Sequence, residues 1–187
     1  MLEIKFDAID GWDDTDEDES KHHFIDLPPL TIRLEHSLVS ISKWEMKYHK
    51  PYLVKENRTL EEQLDYIKFM VVEPKEPIDE NYFRFLTPEQ HKMIDDYIED
   101  PMTATLFYDV EKQFGKKDII TNEIIYYWLV TLQIPFEVQY WHINRLITLV
   151  KVVNMKNNPG NKLSKSELYK RNLAQNEARL AKYKTTG

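Results

Sequence analysis

The sequence predicts a mainly helical α+β protein: a small N-terminal β element, a helical body and an extended, basic C-terminal helical arm. Three observations lead there. Apolar and polar residues alternate over 2–6 and 31–36, the period of half-buried strands. Downstream, Thr59-Leu-Glu-Glu62 and Thr87-Pro88-Glu-Gln90 carry capping-box signatures, each followed by helical spacing. Charge is also split along the chain. From Lys151 to Gly187, nine Lys and Arg face only Glu167 and Glu177, a balance of +7. Residues 1–150 hold 16 basic against 30 acidic side chains, or -14. The boundaries that follow are a β element at 1–39 with an acidic loop at 13–20, a helical body at 40–156, and the arm at 157–187.

Each element has a local reason. Leu2–Phe6 reads as a first strand. Asp13 to Glu19 contains six carboxylates whose mutual repulsion favours a loop or docking strip. His22–Asp26 and Leu30–His36 read as a hairpin turning at Pro28-Pro29, since proline cannot donate to a ladder. From Ser40, a plausible N-cap, Ile41, Trp44 and Tyr48 take helical spacing, and Pro51 ends that helix. After Thr59, Leu60, Leu64, Ile67 and Val71 form one apolar face. Residues 73–77 link to a helix capped at Thr87 that runs to Glu99 and stops before Pro101. Thr103–Val110 is open between strand and helix, with a turn at Gly115. Thr121 opens an apolar helix over Ile124–Ile134, which Pro135 interrupts. A long helix is expected from Phe136 to Met155, apolar on most faces, stopped by Asn157-Asn-Pro-Gly160. A last helix, capped at Ser164 or Ser166, runs to Lys182 with a thin apolar stripe that must dock on something.

Composition excludes several classes. With 187 residues and 42% hydrophobic content the chain can bury a core. No cysteine means no disulfide scaffold, thiolate metal site or Cys nucleophile. No apolar run is long enough to span a bilayer, and the acidic N-terminus does not read as a signal peptide, so a cytosolic setting is expected. The basic arm suits an acidic protein, nucleic acid or the acidic body of a neighbouring copy. Nucleic acid is the weakest of these, because a net charge of -7 repels phosphate.

Sequence chemistry is sparse. Asp14, Asp16 and Asp18 fit positions 1, 3 and 5 of a calcium loop, but Glu19 stands where glycine is needed and Ile25 where a bidentate Glu is needed. No metal site, cofactor or catalytic residue is therefore assigned. No nucleophile elbow or phosphate loop occurs. Asp95-Asp96 and Glu61-Glu62 read as exposed helix faces. The polar group Trp141, His142, Asn144 and Arg145 interrupts the apolar late helix. It reads as an interface lock or an internal buttress bonded to backbone carbonyls or to acidic residues of the first lobe. Arg145 has Glu35, Glu45 and Glu137 as candidate partners. In the arm, Arg171, Asn172, Asn176 and Arg179 make a polar stripe beside Leu168, Leu173 and Leu180, a helix-in-groove pattern or a cap on its own domain. The candidate partner-binding set is therefore Trp141, His142, Asn144, Arg145, Leu168, Arg171, Asn172, Asn176 and Arg179.

Several stretches together resemble a family. They are Leu34-Glu-His-Ser-Leu-Val-Ser-Ile-Ser-Lys-Trp-Glu45, Pro101-Met-Thr-Ala-Thr105, Ile120-Thr-Asn-Glu-Ile-Ile-Tyr-Tyr-Trp128, Ile134-Pro-Phe-Glu137 and Trp141 to Val150. The ending adds Lys162-Leu-Ser-Lys165, Arg171-Asn and Asn176-Glu-Ala-Arg179. Over most of 30–187 the chain resembles the tail assembly chaperones and small tail proteins of long-tailed double-stranded DNA bacteriophages. It departs from them in the acidic run at 13–19 and in Asn157-Asn-Pro-Gly160, where a more basic linker is usual. The resemblance implies a non-enzymatic viral protein of the host cytoplasm or the virion, forming homo-oligomers. Its partners would be tape-measure, tail-tube or baseplate proteins. One role is a chaperone covering the tape measure's apolar stripes during tube polymerisation. The other is a structural subunit retained in tail, connector or baseplate, its arm tethering neighbours. A metal-dependent enzyme using the acidic run or the histidines is the competing class.

Overall fold

The structure is a computed structural model describing residues 1–12, 24–54, 57–105, 119–157 and Leu173. The acidic run, the Gly115 turn and, Asn157 and Leu173 apart, the arm lie outside the described residues. Leu173 itself is helical and exposed. Two small antiparallel sheets accompany a set of helices, an α+β arrangement.

Strands β1 (Leu2–Phe6) and β4 (Leu30–Leu34) pair, and β2 (Ile9–Trp12) pairs with β3 (Phe24–Leu27). One register runs through both, from Leu2 opposite Leu34 to Trp12 opposite Phe24. The two sheets are thus a single two-stranded ribbon, interrupted at Asp7-Ala8 and Pro28-Pro29. This corrects the expected hairpin: Pro28-Pro29 does not turn β3 onto β4. Having no N–H, the prolines break the ladder midway, and the two strands continue along the same ribbon. Ile4, Phe6, Ile25, Leu27, Ile32 and Leu34 face inward while alternate residues face solvent. Beyond β4, strand β5 (Val71–Glu73) adds a third strand, with Arg33 Nη1 bonding Glu73 Oε2 at 2.9 Å.

Helix α1 (Leu38–Tyr48) is capped by Ser37 rather than Ser40. The Ser37 side chain accepts from Ser40 N at 3.2 Å, and the Ser40 hydroxyl donates to the Glu35 carbonyl at 2.9 Å. His49, in the left-handed region at φ 53°, closes α1 before Pro51. The capping boxes form as expected at Thr59 for α2 (Leu60–Met70) and Thr87 for α4 (Pro88–Glu99), with short α3 (Asn81–Arg84) between. The buried face of α2 differs from the expected stripe. Glu62, Asp65, Tyr66, Ile67 and Met70 are buried, whereas Leu60 is 67% exposed. Glu62 can be buried because Lys50 Nζ donates to it at 2.6 Å and it closes its own capping box. Asp65 is held by Lys47 and by the Tyr48 hydroxyl, the latter at 2.6 Å. Glu62 is therefore not the exposed carboxylate the sequence suggested.

Helix α5 (Asn122–Thr131) is pinned at its start by Glu45 of α1, which accepts from Asn122 N at 2.8 Å and Asn122 Nδ2 at 2.6 Å. An anion at a helix N-terminus meets otherwise unpaired N–H groups. The expected helix Phe136–Met155 is divided in two. A 3₁₀ turn (Phe136–Tyr140) is followed by extended Trp141, and α6 runs Ile143–Asn157. The Ile143 N–H donates to the His36 carbonyl at 2.7 Å, and Ser37 and His142 form a bridge, so pairing with the first lobe replaces a continuous helix. Only Ile143, Leu146 and Val150 of α6 are fully buried. The core joins inward residues of the ribbon to α1, α2, α4, α5 and α6. Among the described residues no helix is long and apolar enough to cross a membrane.

Candidate functional site

Glu35, His36 and Ser37 are the junction of the molecule. Glu35 N donates to the Met70 carbonyl at 2.8 Å, tying the junction to the end of α2, while His36 and Ser37 hold His142 and Ile143. Beneath them lies a buried column of rings. Tyr52 stacks on Tyr66 at 3.8 Å and 23°, Trp44 meets Tyr52 edge-on at 5.2 Å, and His36 meets Tyr66 and His142 edge-on at 5.6 and 5.0 Å. The Tyr66 hydroxyl bonds His36 Nδ1. Trp44 Nε1 donates to the Glu62 carbonyl at 2.9 Å.

Protonation in this column is fixed by burial. Burial, with the neighbouring His142 and Arg58, pushes His36 down from 6.5 to about 3. Burial also lowers His142 and raises the Tyr52 and Tyr66 hydroxyls. At neutral pH both imidazoles are uncharged and both phenols protonated. His142 Nε2 sits 2.9 Å from the Tyr97 carbonyl, which only accepts, so Nε2 carries the proton and Nδ1 accepts from Asn144 N at 3.3 Å. The Tyr97 hydroxyl donates to Glu35 Oε1 at 2.7 Å, and the Met1 ammonium lies 3.1 Å from Glu35 Oε2. These are fixed dipoles holding elements together.

The polar group singled out by sequence is therefore divided between two tasks. His142 and Asn144 face inward and satisfy the end of α4. Asn144 Nδ2 donates to the Ile98 and Asp100 carbonyls at 3.3 and 2.7 Å. Backbone carbonyls are their partners, as expected, but on α4 rather than on the first lobe. Arg145 is exposed, its guanidinium 4.0 Å from the centroid of the Trp141 indole, which is half-buried against the core. None of Glu35, Glu45 or Glu137 pairs with Arg145: Glu35 and Glu45 serve Tyr97 and Asn122. Leu168, Arg171, Asn172, Asn176 and Arg179 lie outside the described residues.

Two surfaces remain that sequence reasoning did not single out. One is an aromatic face on α5 and the 3₁₀ turn. Tyr127, Val130, Phe136 and Tyr140 are 65%, 61%, 51% and 63% exposed. Half-buried Tyr126 sits among them, 6.2 Å from the Phe136 ring, its hydroxyl donating to Gln139 Oε1 at 2.9 Å.

The other surface is a cleft of about 680 Å³ between α2 and α4. Tyr52, Tyr66 and Ile94 line its floor, Arg58 one wall, and His91, Asp95 and Glu99 the other. Arg58 lies 4.0 Å over the Tyr52 ring and donates to the Tyr52 carbonyl. Asp95 and Glu99 are exposed and make no ion pair among the described residues. Tyr52 and Arg58 went unnoticed because the loop before α2 has no periodicity. The spacing of His91, Asp95 and Glu99 was available in the sequence as one helix stripe.

No family model, curated protein or solved structure matches this chain. Among the described residues no group of three or more His, Asp or Glu is placed to hold a metal ion. What the described surface offers is apolar contact area and fixed charge.

Proposed function

We propose that this chain is a bacteriophage tail morphogenesis protein without enzymatic activity. It acts as a tail assembly chaperone that binds tape-measure or tail-tube components in the host cytoplasm. The observation that carries the reading is the exposed face of Tyr127, Val130, Phe136 and Tyr140. Clustered exposed aromatics on a soluble surface signal a protein interface. Two of these residues, Tyr127 and Phe136, lie in Ile120–Trp128 and Ile134–Glu137, stretches that carry the family resemblance. An acidic body keeps a crowded, multi-copy complex dispersed, while each copy offers the same modest apolar contact.

The basic C-terminal arm, in a segment from Lys151 that carries +7 against -14 for residues 1–150, supplies the contact between copies. The retained structural subunit is the second reading, and the same charge split favours it, because an arm laid across a neighbour is a tether. Co-expression with a tape-measure fragment tests the first reading. The wild-type chain keeps the fragment soluble, and Tyr127→Asp with Tyr140→Asp releases it while leaving the urea midpoint unchanged, since both side chains are exposed. Failure of the wild-type chain to bind tape-measure or tube protein would overturn it. Stoichiometric presence in purified particles assigns the structural role instead.

A further inference from the structure

We propose that the cleft between α2 and α4 is the seat of the basic C-terminal arm of a second copy of this chain. The inference rests on the reading that the arm joins copies, and adds where it lands.

The buried carboxylates of the body are all engaged: Glu35 by Tyr97 and the Met1 ammonium, Glu45 by Asn122, Glu62 by Lys50, Asp65 by Lys47. Helix α4 is different. It carries Glu89, Asp95, Asp96 and Glu99 against Lys92 alone, and no basic residue lies in its last turn. Asp95 and Glu99 face a cleft large enough for side chains to enter, with an aromatic and aliphatic floor. Burial against such a floor lowers the local dielectric and strengthens any pair formed there.

The charge of the arm complements this wall. His91, Asp95 and Glu99 fall four apart along α4, a row about 12 Å long. The arm carries Arg171 and Arg179 among seven basic residues against two acidic ones, so it brings cations to Asp95 and Glu99. The leucines Leu168 and Leu180 bring the apolar surface that the thin stripe cannot bury alone. A second copy is the occupant because residues 1–150 of two copies, at -14 each, repel one another, and the arm is the part of the chain with the opposite sign that can bridge them.

Sedimentation velocity of the full chain over a concentration series, at low and high salt, tests this. Deletion of residues 161–187, Asp95→Lys with Glu99→Lys, and Arg171→Glu with Arg179→Glu should each weaken self-association at low salt by about tenfold or more. Combining the two charge-reversed pairs should restore it. A control pair, Asp10→Lys with Glu76→Lys, should change it less than about twofold. If arm deletion abolishes association and the Asp95/Glu99 pair behaves like the control, the arm docks elsewhere and this proposal fails while the arm's role survives. If arm deletion changes nothing, the role of the arm in joining copies fails too. A wild-type chain that stays monomeric at every concentration overturns the second copy as occupant.

Discussion

His36 shows how much one residue can do when its surroundings are fixed on every side. Tyr66 bonds its ring, Tyr52 and His142 pack against it, Arg58 adds a nearby positive charge, and its carbonyl receives the α6 N–H. The folded protein holds His36 neutral down to about pH 3, while the unfolded chain takes up a proton near 6.5. The sign follows from linkage. Between those values the unfolded state binds more protons, so stability is intact above 6.5 and is lost as pH falls towards 3. Each unit below 6.5 costs about 1.4 kcal/mol, so about 2 kcal/mol should be gone at pH 5, above the range where carboxylates dominate. His142, lowered for the same reason, adds to the loss. Urea midpoints at pH 7 and pH 5 measure it. His36→Gln, which has nothing to titrate, should show a clearly smaller drop, and a wild-type midpoint equal at both values would contradict the account. None of this was legible in the sequence. Glu-His-Ser looked like the end of a strand, and nothing nearby announces that residues near 66 and 142 will close over it.

At the level of elements, what could be read from sequence was local and what could not was long-range. The boxes at Thr59 and Thr87 are visible because cap and partner lie three residues apart. Of the expected α2 stripe, Ile67 is buried and Leu64 and Val71 pack on the core, but Leu60, which looks like core by spacing, is exposed. The core chose Tyr66 and Met70, once Lys47, Lys50 and Tyr48 on the neighbouring segment could satisfy Asp65 and Glu62. The late helix was drawn through Trp141 because its apolar period continues. The break at His142 comes from a backbone bond to His36 across the fold. Of the candidate site, the pattern gave the polar group at 141–145 but not that His142 and Asn144 turn inward while Arg145 stays exposed over Trp141. The inward half makes a sharp prediction. Helix α4 ends with Glu99 and Asp100, the wrong charge for its dipole, so its last carbonyls rely on Asn144 and His142. Asn144→Ala should cost about 1–2 kcal/mol in urea unfolding. Asn144→Asp should cost more, because it places lone pairs against carbonyls, and an Asp variant as stable as wild type would refute the capping role.

Over the whole molecule, sequence patterning suggested a β element separable from a helical body, and the packing argues for testing that division directly. Ile4 sits opposite Ile32 with almost no exposed surface, and Phe6 packs 5.2 Å from the Tyr82 ring of α3. Gln90 Nε2 of α4 donates to the Lys5 carbonyl at 2.8 Å, and the Tyr82 hydroxyl reaches the Pro28 carbonyl at 2.6 Å. Strand and helix residues therefore share one continuous core, and a cavity on the ribbon removes contacts from the helices as well. Ile4→Ala should cost about 2–4 kcal/mol, a cavity at a fully buried branched side chain. The cost should appear in the helical signal as fully as in the strand signal. Far-ultraviolet circular dichroism and the hydrogen exchange of the Ile4 and Ile32 amides, followed through the same urea series, should shift together by the same amount, the mark of one cooperative unit. If the helical transition keeps its wild-type midpoint while the exchange of the strand amides moves, the ribbon melts alone. The junction at Glu35–Ser37 would then be a hinge between two bodies rather than the centre of one.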